Sequence, residues 1–284
     1  WGAHLRCGAC AVRIGFEHGR GDIRMPVFDK QMSDHQTAWR EKNCGAYEPG
    51  RQNGRQRDWI LPKDRIEDGL WLDLRSSGRM PLRPFLGSGD GKVQAHSGIH
   101  NLKSSWTLCA NMYFHFREDG RELLASFLRR HVDASIETVD AVELEFSDVA
   151  PRRPVDLLGE EGSRGSGQTS PDIAFRCNGG DVLVLTENKF VEHSFYPCSA
   201  RGAKPRADAR PAPPQARSPN PDRSRCDRAA ELPRSYPDLC HQVEWGRRYW
   251  DHLAGKVNAQ AWAALRICPA AIAGYQLFRQ QALA

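Results

Sequence analysis

Between Thr169 and Phe190 the chain reads TSPDIAFRCNGGDVLVLTENKF. Two apolar runs, Ile173 to Cys177 and Val182 to Leu185, flank Asn178-Gly179-Gly180. Short apolar runs around a glycine turn predict a β-hairpin. With Gly179-Gly180 as a two-residue loop, Asn178 pairs with Asp181. Counting outward then sets Asp172 opposite Glu187 and Ser170 opposite Lys189. Paired residues project from one face with Cβ atoms roughly 5 Å apart, and Lys189, two positions beyond Glu187, shares that face. A loop at Asn178-Gly179 slides the pairs but keeps the three groups together, whereas a three-residue loop turns one strand over and separates them. Asp181 to Leu185 is largely apolar on both faces, which predicts a central strand.

Two carboxylates at one end of a hairpin are hard oxygen ligands suited to Mg²⁺ or Mn²⁺, with water and a substrate phosphate completing the shell. A cation so held activates water and steadies charge on a phosphoryl oxygen. A lysine beside them can orient or deprotonate that water, or stabilise the transition state. The competing reading is a solvated strand end, the common fate of charged side chains. Against it, lysine is scarce here, at eight of forty basic residues.

Pro171-Asp172, followed after a strand-length gap by Glu187-Asn188-Lys189, resembles the PD-(D/E)XK, or restriction-endonuclease-like, nuclease superfamily. The surrounding sequence is similar to one bacterial group within it. The similarity runs through Asn101-Leu102-Lys103-Ser104-Ser105, Leu157-Leu158-Gly159-Glu160, Gly162-Ser163-Arg164-Gly165, Thr169-Ser170, Lys189-Phe190 with Glu192, and Tyr275-Gln276-Leu277 with Arg279-Gln280-Gln281. It covers about Ile99 to Ala284, with a gap after Arg201. One departure is Asn188, where the group usually carries a bulky aromatic. The resemblance implies an α/β fold with a restriction-endonuclease-like core, a mixed sheet flanked by helices and a metal site at one sheet end. It implies Asp172 and Glu187 as ligands of Mg²⁺ (Mn²⁺ also serving), Lys189 as the residue that positions water, and DNA as partner. Cleavage of this type leaves a 5′-phosphate and a 3′-hydroxyl.

The 284 residues suffice for one large or two small domains; 40% are hydrophobic and 26% charged. A mean hydropathy of −0.61 points to substantial unpacked segments. The net charge of +5 permits contact with nucleic acid without requiring it. No apolar run approaches membrane-spanning length, and no signal segment opens the chain, which begins at Trp1. Nine cysteines, an odd number at scattered spacing, fit reduced thiols and a cytoplasmic setting better than a disulfide framework. Cys7-Gly-Ala-Cys10 is a lone C-x-x-C, with His4 and His18 as partial complements to a zinc site. Cys198, Cys226, Cys240 and Cys268 follow the hairpin. Some nucleases of the superfamily hold an iron–sulfur cluster with four cysteines, but the ferredoxin-type local spacings are absent here.

Residues 1–98 read as an accessory or poorly ordered region, with Ser33 to Lys42 as a short helix capped by Ser33 and short strands near Trp59 and from Leu70 to Leu74. Trp39, Trp59 and Trp71 among arginines could contact a nucleic-acid backbone, though a loosely ordered extension is the simpler account. Residues 99–284 read as the nuclease-like domain. Helices are expected over Asn101 to Phe116 and Glu122 to Val132, the latter with Leu124, Phe127 and Leu128 inward, and a half-buried strand over Ala141 to Phe146. A loop spans Val149 to Gln168, from which Arg164 could reach a phosphate and Glu160 could add a third metal ligand. His193 is a further phosphate-contact candidate. About 202–225, rich in Pro, Arg and Ser, reads as a flexible insertion. Further helices are expected over Tyr236 to Leu253, with Arg247 and Arg248 facing substrate, and over Ala270 to Ala284, with Gln276 and Arg279 as substrate contacts; Ala261 to Ile267 fits a short helix or strand. That last pattern runs to Ala284 without a cap, so the sequence reads as open at this end.

These features converge on a Mg²⁺-dependent deoxyribonuclease of restriction or repair. Asp172, Glu187 and Lys189 are its catalytic candidates; Asp172, Glu187 and Glu160 its metal ligands; Ser170, Arg164, Gln276 and Arg279 its substrate contacts. Symmetric cutters are often dimers, so a homodimer is compatible with this reading. The alternatives are an inactive nucleic-acid-binding or interaction module on the same fold, and a cysteine-rich metal-binding protein.

Overall fold

The computed structural model describes residues 27–52, 54–70, 98–117, 119–164, 167–192, 194–202, 218 and 220–284. Helix α1 (Val27–Asn43) and a small ladder of β1 (Arg51–Gln52) and β2 (Arg55–Gln56) precede α2 (Ser105–Tyr113) and α3 (Arg121–His131). Then come β3 (Val139–Leu144), α4 (Pro154–Leu158), β4 (Ile173–Cys177) and β5 (Val182–Thr186). The chain closes with α5 (Ser199–Gly202), α6 (Leu232–Leu239), α7 (His241–Glu244), α8 (Tyr249–Leu253), α9 (Ala259–Ala263), α10 (Pro269–Ile272) and α11 (Tyr275–Leu283).

The main sheet has the order β3-β4-β5. Both of its pairings are antiparallel, where a mixed sheet is expected from the sequence. The tight turn between β4 and β5 leaves them no other direction. That hairpin keeps the expected register, with Cys177 opposite Val182 and Ile173 opposite Thr186. Asn178–Gly180 forms a single 3₁₀ turn instead of a two-residue loop. β4 (IAFRC) is buried on both faces and is the central strand. β5 lies at the sheet's edge with Leu183 41% exposed, so the central position expected for it falls to its partner.

α2 and α3 cover this sheet. Ser104 caps α2 by accepting the Thr107 amide at 3.2 Å, so Asn101 and Leu102 form a turn ahead of the helix and Phe114–Arg117 winds on as a 3₁₀ turn. Trp106, Phe114, Leu124 and Leu128 pack against Val142, Ile173 and Phe175. Phe127, expected inward, is 56% exposed and lies against His131. A second core joins α4 to α6, α8, α10 and α11 through Leu158, Leu232, Tyr249, Trp250 and Ala282.

Elsewhere the elements are shorter or longer than the periodicity suggests. Tyr236 to Leu253 is three helices, not one. The extended conformation of Cys240 ends α6, and Gly246 at φ 75° separates α7 from α8. Ala273 and Gly274 likewise part α10 from α11. The expected loop of 149–168 contains α4, with Pro154 at its first turn, the position proline favours. α1 begins six residues before Ser33, which is buried inside it and donates to the Asp29 carbonyl at 2.8 Å instead of capping. Cys7, Cys10, Trp71, the strand expected to Leu74, His193 and most of the 202–225 stretch lie outside the described residues.

Candidate active site

β4 and β5 deliver Asp172 and Glu187 to the same end of the sheet, one residue before β4 and one after β5. The Asn188 amide donates to Asp172 Oδ2 at 2.7 Å, which ties the two strand ends together where the ladder stops. Lys189 Nζ lies 2.6 Å from Glu187 Oε1, and Gln280 Nε2 donates to the other carboxylate oxygen of Glu187. The Glu187 side chain is only 3% exposed. The rings of Phe195 and Tyr196 stand 5.5 and 5.7 Å from the Lys189 ammonium and cover it.

These groups open onto a cleft of about 390 Å³ whose lining includes Asp172, Glu187, Lys189, Glu145, Glu192 and Gln276. One wall is Asn101, Lys103, Ser104 and Ser105, the turn and helix start ahead of α2. Glu145 follows β3 in a left-handed conformation, φ 48°, uncommon for a residue with a side chain. Its amide donates to the Asp172 carbonyl at 2.8 Å, and Arg164 Nε donates to its carbonyl at 2.7 Å.

Burial raises the Asp172 carboxyl to about 8, and the neighbouring charge of Glu187 adds to the shift; the Asn188 amide and the Lys189 ammonium oppose it. Beneath the acids lies Cys109, 1% exposed, whose thiol is pushed up by burial and then by the charges of Asp172 and Glu145.

Of the residues expected to meet substrate, Gln276 lines the cleft, and its Oε1 is buried without a protein donor. Ser170 is half-buried and does not line it. Three others turn out to brace the fold. Arg164 grips the carbonyls of Leu144 and Glu145, so its guanidinium fixes the end of β3 instead of reaching a phosphate. Glu160, expected as a third metal ligand, does not line the cleft: its carboxylate accepts from the Thr169 hydroxyl at 2.7 Å, the Tyr249 hydroxyl at 2.7 Å and Arg279 Nε at 2.9 Å. Arg279 is spent on that pair, with the Thr169 hydroxyl also 2.9 Å from Nε. Arg247 and Arg248 bond the carbonyls of Gly159 and Asp156, satisfying acceptors in and just after α4. A short loop acid and an arginine look alike in sequence whether they face a ligand or a buried partner, and only the packing separates the cases.

Glu145, Gln280 and the 101–105 wall received no role in the sequence reading. Glu145 was hidden by the strand alternation that assigns it to the solvent side; its left-handed backbone breaks that alternation. The Asn-Leu-Lys-Ser-Ser run was visible as a motif but lay about seventy residues from the hairpin.

The model of one protein family, described as restriction endonuclease associating with ARP, matches residues 33–284. Comparison with curated proteins and with solved structures gives no match.

Proposed function

Because the chain belongs to the family of restriction endonucleases associating with ARP, we propose that it is a metal-dependent nuclease that hydrolyses phosphodiester bonds of DNA. The observation that carries this reading is the meeting of Asp172, Glu187 and Lys189 on one cleft.

Asp172 and Glu187 are the residues that would hold Mg²⁺ or Mn²⁺. The donor set fits such a cation. Both groups are hard oxygen donors at the end of a rigid sheet, and burial together with Glu187 disfavours the ionised form of Asp172, a penalty that a cation would remove. Among the described residues no group of three His, Cys, Asp or Glu side chains forms a closed shell. Mg²⁺ needs none, since it keeps waters and takes one or two carboxylates with a substrate phosphate. When bound, the cation supplies Lewis acidity at a phosphoryl oxygen and lowers the pKa of water.

The protein's own groups do the rest. Lys189, held at 2.6 Å by Glu187 and roofed by two aromatic rings, presents an ammonium to orient attacking water or meet charge developing on phosphorus-bound oxygen. Gln280 fixes the second oxygen of Glu187, so the carboxylate cannot swing away. Ser104, Ser105 and Gln276 offer uncharged polar groups for a nucleic-acid backbone along the cleft. In the family's setting the activity serves restriction, with ARP as associate.

The test is cleavage of plasmid and single-stranded DNA, with Mg²⁺ and with EDTA, by the parent chain and by Asp172→Ala and Lys189→Ala. Metal-dependent cleavage that both substitutions abolish is expected. Cleavage that survives both would overturn the assignment. A folded protein that binds DNA and never cuts it would favour the inactive binding module instead.

A further inference from the structure

Two aromatic side chains line the active-site cleft among the described residues, and they differ in exposure. Trp106 belongs to the sheet core and is 4% exposed; Tyr196 is 49% exposed. Lys189 Nζ stands over the Tyr196 ring, 5.7 Å from its centroid. Phe195 lies at a similar distance from that ammonium, but it is half-buried and does not line the cleft.

The backbone holds Tyr196 in place from both sides. The Tyr275 amide donates to the Tyr196 carbonyl and the Gln276 amide to the Phe195 carbonyl, each at 3.0 Å, which satisfies two of the amides left unpaired at the start of α11. Ser194 Oγ accepts the Tyr196 amide at 3.3 Å. On the far side Pro197 fixes one backbone angle, and the Cys198 amide donates to the Ala270 carbonyl at 2.7 Å. Within this frame Tyr196 takes φ 57°, a left-handed conformation that residues with a Cβ seldom adopt. Glycine or asparagine would fit such a turn at less cost. Burial does not account for a tyrosine here, since the residue is exposed. Strain of this kind, fixed by surrounding contacts, collects at ligand-binding and catalytic sites.

The charge of the cleft points to what the ring meets. The lining carries the carboxyl groups of Glu145, Asp172, Glu187 and Glu192 against the ammoniums of Lys103 and Lys189, and Lys103 is already paired with Asp29. Phosphate charge alone gives a strand little hold on such a surface. Stacking on an aromatic face needs no charge and accepts any base. A base hangs one sugar away from its phosphate, so a phosphate at the Lys189 ammonium brings a base within reach of the Tyr196 ring. In a duplex that base is stacked between neighbours and its face is covered, so it must be unpaired to stack on protein.

Given the nuclease reading of the cleft, on which this rests, we propose that Tyr196 is a stacking platform for an unpaired nucleobase of the strand held at Lys189, which makes single-stranded or locally opened DNA the substrate. The contact itself gives no preference among bases.

The experiment measures binding with Mg²⁺ withheld, in EDTA and again in Ca²⁺. A single-stranded oligonucleotide with 5-iodouracil at successive positions, and its duplex, are bound to the full chain, and anisotropy reads affinity. Irradiation then couples the iodouracil to a stacked aromatic ring, and mass spectrometry locates the adduct. Expected are tighter binding of the single strand than of the duplex and an adduct on Tyr196. Tyr196→Ala should weaken single-strand binding about tenfold and leave duplex binding unchanged, while Tyr196→Phe and Tyr196→Trp bind like the parent. In Mg²⁺, Tyr196→Ala should raise KM on single-stranded DNA and keep kcat, whereas loss of a cover over Lys189 alone would move kcat. Single-strand binding unchanged in Tyr196→Ala, or adducts that avoid Tyr196 at every position, overturns the proposal; so does a chain that binds neither DNA. The nuclease reading fails separately. No cleavage in Mg²⁺ with the Tyr196 adduct present sinks that reading and leaves the platform. Cleavage that Asp172→Ala abolishes, with no adduct on Tyr196, sinks the platform and leaves the nuclease.

Discussion

Asp172 titrates out of its ordinary range, and this has consequences at the scale of a single residue. Its carboxyl is raised from 3.8 to about 8 by burial and by Glu187. The folded chain therefore holds this proton more tightly than the unfolded chain does. The stability it contributes is fully present below about pH 4 and is lost as pH rises through about 8. Thermal unfolding in EDTA should weaken across that window, and Asp172→Asn, which cannot ionise, should flatten the profile; superimposable profiles would refute the account. Divalent-cation affinity should run the other way and rise towards pH 8, because the ligand must be ionised. Loss of Lys189 should cost rate and also some stability, because it leaves the Glu187 carboxylate, 3% exposed, without its counter-charge. The Lys189 side chain is 15% exposed and its ion pair is with a carboxylate that Gln280 also holds. Lys189→Ala should lower kcat by about a hundredfold or more, the scale of removing one preorganised donor, with DNA binding measured by anisotropy nearly unchanged.

At the scale of elements, the junction between α4 and the C-terminal helices holds the cleft in shape. Gly159 ends α4 at φ 63°, and a Cβ there would run into the carbonyl oxygen of Gly246. Only glycine permits both the left-handed turn and the close approach. Gly159→Ala should destabilise the protein by about 2 kcal/mol or more, read from urea denaturation. The next residue, Glu160, has a side chain 1% exposed and binds Arg279, Tyr249 and Thr169. The Tyr249 hydroxyl is pushed well above its ordinary pKa, chiefly by burial, and serves as a donor. Arg279→Met leaves a buried carboxylate short of its counter-charge and should cost about 3–5 kcal/mol. The paired change Arg279→Met with Glu160→Leu should recover part of that loss, which a role of Arg279 in contacting DNA would not produce.

At the scale of the molecule, two hydrophobic cores meet along the cleft. The sheet side supplies Asp172, Glu187 and Glu145, and α11, beside the second core, supplies Gln276 to the cleft and Gln280 to the Glu187 carboxylate behind it. Described residues of 27–70 pack beside the first of these cores, with Leu70 in the sheet core. Lys103, in the cleft wall, pairs with Asp29 of α1 at 2.7 Å, bonds Ser33 at 2.7 Å and lies 4.4 Å from the Trp59 ring. Trp59 and Trp39 are thus packed within the protein, beside Lys103 and in the Cys44, Leu61 and Leu102 cluster respectively. The proposed Mg²⁺ site exists only in the folded chain, so adding Mg²⁺ should raise Tm with ligand concentration. The rise should vanish in Asp172→Asn and persist in Cys44→Ser. No helix among the described residues is long and apolar enough to cross a membrane.

The hairpin was legible from sequence alone because its information is local. Side chains alternate with period two along each strand, and a glycine turn sets the pairing, so Asp172 and Glu187 follow by counting. The two helices expected over Asn101 to Phe116 and Glu122 to Val132 were legible for the same reason, since amphipathic spacing acts within a few residues, although the first begins only at Ser105. What lay beyond reach depends on partners far away in the chain. Glu160 and Arg164 carry charges that sequence cannot assign to a ligand or to a buried partner, and packing gave them Arg279 and the β3 carbonyls. The breaks at Cys240 and Gly246 override a continuous apolar stripe because Trp250 and Tyr249 must turn to meet α11. Cys198, Cys226, Cys240 and Cys268 have no motif spacing at all, and it is the tertiary structure that sets four distant thiols around one cavity. Long-range contacts are decided by the sum of the burial they achieve, a quantity that no window of sequence contains.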